Sequence, residues 1–155
     1  MKPIVTEGDI LDQDVEVIVN SWNRNVIPWW LLIPQGVSGA IKKRGGTAPF
    51  KEVMRFGPIP LGEARETSAG NLAFKSIIHV AGINLFWTGT EYSVRTSVKS
   101  AMQIVNDREY ASVAFPLIGS GSGNRGQEWA LELMLGTFSS IDSNAEVILV
   151  RCRKD

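Results

Sequence analysis

Four short runs of β-branched and apolar residues, set apart by stretches of helical periodicity, constrain this chain more than any other feature. They are Val15-Glu16-Val17-Ile18-Val19, Ser76-Ile77-Ile78-His79-Val80-Ala81, Ser112-Val113-Ala114-Phe115 and Glu146-Val147-Ile148-Leu149-Val150. Each has the length of a strand and is bounded by turn residues. Runs this apolar suit strands covered on both faces. Between them, Val94, Val98, Ala101, Met102 and Val105 mark one face of a helix predicted from about Tyr92 to Asp107. Ala130, Leu133, Met134 and Thr137 mark a second. A shorter helix is predicted from Val37 through Ala40 and Ile41 to Arg44, with Gly45-Gly46 as its stop. Thr47 is placed to cap another over Pro49 to Arg55, with proline near the first turn. Strands alternating with helices imply an α/β sandwich around a mostly parallel sheet.

At 155 residues, with no internal repeat, low-complexity tract or linker, the chain is expected to form one domain over 1–155. Its 16 Lys plus Arg balance 16 Asp plus Glu. That argues against a protein that lives on non-specific contacts to a phosphate backbone, which calls for a basic excess. A phosphate-bearing ligand is then better gripped by backbone N–H groups. One cysteine, Cys152, excludes an internal disulfide and a cysteine metal cluster, and is expected as a reduced thiol near the last strand. One histidine and scattered acids offer no metal-ligand spacing, and no cofactor is expected. The richest apolar stretch, Val26 to Ile33, is eight residues long and contains a proline, too short for a membrane span. The start meets Glu7 and Asp9 at once, leaving no long apolar signal region. A soluble, cytoplasmic protein is expected.

In such sheets ligands sit beyond the carboxyl ends of the strands, so the loops after Val19 and Phe115 are of most interest. After Phe115 the chain reads Pro116-Leu117-Ile118-Gly119-Ser120-Gly121-Ser122-Gly123-Asn124-Arg125-Gly126. Four glycines and two serines between a strand and a helix fit either a flexible turn or an anion cradle. In a cradle, glycine backbone N–H groups and the following helix dipole favour a phosphate. The loop is neither a P-loop nor the dinucleotide fingerprint. After Val19 come Asn20-Ser21-Trp22-Asn23-Arg24-Asn25. Asparagine amides suit sugar hydroxyls, and they also form turns. In Glu7-Gly8-Asp9-Ile10, a carboxylate beside a glycine follows a strand, where it either is solvated or accepts from an exocyclic amine such as that of adenine.

Together these pieces resemble the macrodomain family through nearly the whole chain. Gly8-Asp9-Ile10 looks like the family's opening Gly-Asp-Ile, and Val17-Ile18-Val19-Asn20-Ser21-Trp22-Asn23 is similar to its Ala-Ile-Val-Asn-Ala-Ala-Asn. Gly36-Val37-Ser38-Gly39-Ala40-Ile41 follows Gly-Val-Asp-Gly-Ala-Ile, with Gly45-Gly46 after it. Gly62-Glu63-Ala64 with Thr67, Gly70, Asn71 and Leu72, then Ile78-His79-Val80-Ala81-Gly82, then Phe115-Pro116 complete the order. The resemblance implies a three-layer α/β/α sandwich with a central mixed, mostly parallel sheet, and ADP-ribose or an ADP-ribosylated substrate as partner. It implies that Asp9 bonds the adenine amino group beside the Ile10 backbone, and that Asn20 belongs to the ligand-binding set. It places Asn23 on the distal ribose, and Gly36 and Val37 on the diphosphate and distal ribose. Ser120, Gly121, Ser122, Gly123 and Asn124 would wrap the diphosphate from the other side. His79, inside a strand, reads as a core histidine with satisfied nitrogens.

Two departures bear on activity. Members that hydrolyse ADP-ribosyl esters commonly carry a run of glycines before Gly-Val and an aspartate after it. Here the run is Pro28-Trp29-Trp30-Leu31-Leu32-Ile33-Pro34-Gln35, and Ser38 takes the aspartate's place. Pro34 has no N–H to give, and serine brings no charge to activate a water, though it can cap a helix. Trp29 and Trp30 fit a core or a lid over the distal ribose. Two functions are then open. One is a hydrolase removing ADP-ribose from an acceptor or acting on a small derivative, with Asn23 and Ser38 as its catalytic candidates. Its base is then the ligand's own phosphate or an acid such as Glu63. The other is a non-catalytic module that senses ADP-ribose. The loop substitutions favour the module; the small stand-alone chain favours the enzyme, which is the preferred expectation. Nucleic acid is expected only as an ADP-ribosylated acceptor, and no membrane partner is expected.

Overall fold

Each of the four apolar runs becomes a strand of one sheet, and two further strands join them. The computed structural model describes residues 1–23, 36–57, 59–83, 90–118 and 126–151, with the backbone alone at 22–23, 36–39 and 82–83. In chain order the strands are β1 (Ile4–Glu7), β2 (Val17–Asn23), β3 (Ala64–Thr67), β4 (Ser76–Ile83), β5 (Ser112–Pro116) and β6 (Glu146–Arg151). The helices are α1 (Gly36–Gly45), α2 (Ala48–Arg55), α3 (Glu91–Asp107) and α4 (Gln127–Phe138), with a short 3-10 helix, Ile10–Asp12, after β1. The sheet order is β1-β6-β5-β2-β4-β3. All neighbours are parallel except β3, which runs antiparallel to β4.

Successive strand side chains point to opposite faces, which is why runs without alternation bury both. Val17, Val19, Ile78, Val80, Val113, Phe115 and Leu149 pack against Val94, Val98 and Met102 of α3 and Met134 and Phe138 of α4. Ile18, Ile77, Ala81, Ala114 and Val150 face the other way, onto Ile41 of α1, Phe50 and Val53 of α2, and Ile10 and Leu11 of the 3-10 helix. The result is the three-layer α/β/α sandwich with a mixed, mostly parallel sheet.

The boundaries differ from the sequence expectation where polar residues enter strands. β2 begins at Val17, because Glu16 turns aside: its N–H donates to Ser112 Oγ at 2.9 Å and its carboxylate accepts from the Ala111 N–H at 2.6 Å. The strand then continues past Val19, since Asn20 pairs with His79 and Ser21 with Val80 in the β4 ladder. The polar edge strand β3 gave no apolar signal. Thr47 sits just before α2, but its side chain makes no cap bond. Its φ of −99° and ψ of −9° are already helical, whereas a capping residue needs extended backbone. The predicted stop of α1 is present: Gly46 adopts φ +83° and donates its N–H to the Lys42 carbonyl at 3.1 Å. Among the described residues, no helix is long and apolar enough to cross a membrane.

Candidate functional site

Five parallel strands end on one edge of the sheet, and their order there decides which loops can share a ligand. Along that edge stand Asp9 just beyond β1, Arg151 at the end of β6, Pro116 at the end of β5, Asn23 at the end of β2 and Ile83 at the end of β4. Asp9 and Asn23 are therefore three strand spacings apart, about 14 Å. The exit of β5 lies between them. Beyond β5, Leu117 and Ile118 are buried, and the Ile118 N–H donates to Met134 Sδ at 3.4 Å, which fixes where the glycine-rich segment departs. The chain returns at Gly126, the extended N-cap of α4, which has no side-chain cap. The first-turn N–H groups of a helix have no intrahelical acceptor, so such an end favours an anion.

Asp9 caps the 3-10 helix, its Oδ1 accepting from the Leu11 N–H at 2.9 Å. Its Oδ2 stands 3.5 Å from Arg44 Nη1 at the end of α1, and the same nitrogen reaches Asp12 Oδ1 at 3.4 Å. The Gly8 N–H donates to the Arg151 carbonyl at 2.9 Å, so the Asp9 turn is pinned to β6. Ile10 is buried, anchoring the turn from below. The Asp9 side chain remains about half exposed at 47%.

Asn20 lies within β2, between Val19 and Ser21. It is fully buried, and its Nδ2 donates to His79 Nδ1 at 3.1 Å. His79 Nε2 lies 2.8 Å from Thr67 Oγ1, whose hydroxyl donates to the Ser68 carbonyl at 3.0 Å. The proton between His79 and Thr67 is then the imidazole's, and one tautomer satisfies the whole chain of bonds. Burial pushes the imidazole down to about 3, so it is neutral at ordinary pH. The edge of Phe50 closes the group, ring centroids 6.4 Å apart. His79 is thus the core histidine expected. Asn20 supports the end of β2 from beneath, with Asn23 three residues on, past a register shift between Ser21 and Asn23. Such shifts re-aim strand ends.

Gly36, Val37 and Ser38 form the first turn of α1. Ser120, Gly121, Ser122, Gly123 and Asn124 lie outside the described residues, as do Trp29, Trp30, Pro34 and Cys152. Glu63, the acid considered as a base, stands at the far edge of the sheet. Its carboxylate is 3.3 Å from Arg65, and it lines a groove of about 370 Å³ with Lys99, Ser100 and Gln103 of the α3 side. One strand, β4, stands between it and β2, and its side chain turns to the groove beside α3. Arg44 and Thr67 belong to this edge and its support, although the sequence does not mark them as site residues. Arg44 reads there only as a cation in the last turn of a predicted helix, and nothing local reveals that this turn lies against Asp9.

The family profile described as Macro domain matches residues 19–134. The chain belongs to the macrodomain family. A macro domain-containing protein of Listeria monocytogenes is 37% identical over 145 residues, covering 88% of this chain and 78% of the relative. A protein of Citrobacter koseri named O-acetyl-ADP-ribose deacetylase is 33% identical, covering 87% of this chain and 77% of its own length. Among solved structures, the macrodomain of Oceanobacillus iheyensis with ADP superposes with a TM-score of 0.79 at 25% identity, covering 96% of this chain and 81% of that one. The strand order, with its one antiparallel edge among the described residues, is thus that of a macrodomain.

Proposed function

We propose that this macrodomain, one domain over 1–155, binds ADP-ribose across the carboxyl ends of its strands and hydrolyses ADP-ribosyl groups from an acceptor or a small ADP-ribose derivative in the cytoplasm. The observation that carries the reading is the order along the sheet edge. Asp9 stands at one end, the β5 exit to the glycine-rich segment in the middle, and Asn23 three strand spacings away. A base, a diphosphate and a distal ribose come in that sequence in the ligand. The reading gives Asp9 and Ile10 the adenine, and Ser120 to Asn124 with Gly36 and Val37 the diphosphate. Asn23 takes the distal ribose, Ser38 borders it, and Asn20 supports the site from within. The relatives named O-acetyl-ADP-ribose deacetylase support a hydrolytic role.

In the reaction, a water held by a ligand phosphate attacks C1″ and passes its proton to that phosphate. The bond from C1″ to the acceptor breaks, and the acceptor leaves with its electron pair and takes a proton. Ser38 supplies no negative charge, so the phosphate is the base. That same substitution favours a second reading, a module that binds ADP-ribose without cutting it.

Calorimetric titration with ADP-ribose, against AMP and NAD, tests the site. Micromolar affinity, about −8 kcal/mol, is expected. Asp9→Ala should weaken it by roughly ten- to a hundredfold, the loss of a hydrogen bond to a charged acceptor. Asp9→Asn keeps the cap on Leu11 and should weaken binding nearly as much. Turnover of ADP-ribosylated protein, by attack at C1″, and of O-acetyl-ADP-ribose, where the same water attacks the acetyl carbon and acetate leaves the ribose hydroxyl, then separates the readings: a wild type that binds and never turns over is the sensing module. No binding at all sinks both.

A further inference from the structure

The adenosine end of the proposed cleft holds a charged group that the proposed function leaves unused. α1 packs over the 3-10 helix, Ile41 sharing one cluster with Ile10 and Leu11. Its last turn carries Arg44 to the turn after β1, where Nη1 lies 3.5 Å from Asp9 Oδ2. Asp9 Oδ1 is held by the Leu11 N–H, so the carboxylate cannot turn freely and Oδ2 stays beside the guanidinium. A fixed acceptor and a cationic donor thus stand side by side at a half-exposed rim. Adenine presents the complementary pair on one edge, an exocyclic amine donor next to the N7 acceptor. Guanidinium offers five N–H donors and no acceptor, so it can hold Asp9 and still donate outward.

Two alternatives fit less well. As a stabilising ion pair alone the contact is worth little, because both side chains are about half exposed. As a phosphate site it is poorly charged: Asp9 and Asp12 against Arg44 leave the spot net negative. A neutral base with an amine suits that balance better than a further phosphate.

Resting on the assignment of Asp9 to the adenine amino group, we propose that Arg44 is a specificity-determining residue that donates to N7 of the same base. Asp9 rejects purines with an oxygen at C6, and Arg44 requires a nitrogen at position 7. The two residues therefore read different atoms, and their effects separate.

The test compares ADP-ribose with its 7-deaza analogue, in which a C–H replaces N7, and with its hypoxanthine analogue. Wild type, Arg44→Ala and Asp9→Asn are titrated with each, and thermal midpoints are recorded. Wild type should prefer ADP-ribose to the 7-deaza analogue by about five- to tenfold. In Arg44→Ala the two ligands should bind equally, while the preference for adenine over hypoxanthine persists. A purely structural role would weaken both purines alike and keep their ratio. A wild-type ratio of one, or a ratio that survives in Arg44→Ala, overturns the assignment of Arg44 alone. If ADP-ribose does not bind, or if Asp9→Asn binds normally, the adenine assignment itself falls and takes this one with it.

Discussion

His79 is the chain's one histidine, which makes a clean experiment of acidification. Its imidazole is buried under the site, bonded to Asn20 and Thr67, and burial pushes it from 6.5 down to about 3. In the unfolded chain the same group protonates near 6.5. Between those values the unfolded state binds a proton that the folded state refuses, so stability must fall as the pH falls. The contribution is complete above pH 6.5 and drains away below it. At pH 5 the loss is the protonation free energy of the unfolded imidazole over 1.5 units, about 2 kcal/mol at 1.36 kcal/mol per unit. That is a sizeable part of the total stability of a domain. The slope cannot exceed one proton. Urea unfolding at pH 7, 6 and 5, wild type against His79→Gln, reads it directly through the midpoint at constant m. The variant should start less stable, having disturbed the bonds to Asn20 and Thr67, and should lose about 2 kcal/mol less on going from pH 7 to pH 5. Parallel profiles for the two proteins would show that His79 titrates normally, and the account of the buried network would be wrong.

Two further predictions concern the fold and the chemistry. Gly70 has φ +59°, and a β-carbon there would sit 2.3 Å from the Gly45 carbonyl oxygen. Gly70→Ala should cost about 3 kcal/mol or more in urea unfolding. Gly57→Ala, with φ +73° and open space around the added carbon, should cost only about 1 kcal/mol, which isolates the backbone contribution. In the proposed hydrolase, Ser38→Asp restores a carboxylate in the first turn of α1 and should raise kcat at least about tenfold, with the dissociation constant for ADP-ribose little changed. Unchanged turnover with intact binding would mean that position 38 takes no part in activating water.

Sequence reasoning saw this fold where burial on both faces leaves long apolar runs, and lost it where the pattern becomes polar. β4, β5 and β6 were legible almost to the residue for that reason. β3, Ala64-Arg65-Glu66-Thr67, was not, because an edge strand that pairs on one side need not be apolar. The extension of β2 through Asn20 was hidden in the same way. An asparagine reads as a turn former until a histidine from the neighbouring strand, 59 positions away, supplies its partner. The start of α3 shows another limit. Thr90 and Ser93 exchange reciprocal cap bonds at 3.0 and 2.9 Å, with serine in the place more often taken by Glu or Gln. Asp9 was visible through its glycine neighbour and its place after a strand. Its ion pair with Arg44 depends on how α1 lies on the 3-10 helix, a packing fact that no local pattern encodes.

Along the sheet edge, the family's sequence pattern is intact at the adenosine end of the proposed ligand, while the substitution at Ser38 falls toward its other end. Gly8-Asp9-Ile10 is intact, and its turn is fixed by the cap on Leu11, the tie to Arg151 and the proximity of Arg44. The departure at Ser38 lies in the first turn of α1, which the proposed function sets beside the distal ribose. Interactions at the adenosine end act equally on the bound ligand and on the transition state, so they set affinity and leave kcat alone. A charge beside the reacting carbon acts mainly in the transition state, and replacing it with a neutral hydroxyl removes rate without removing binding. The enzyme and the sensor are then two values of kcat on one binding surface. Affinity for ADP-ribose will not distinguish them; a single-turnover measurement on enzyme saturated with substrate will.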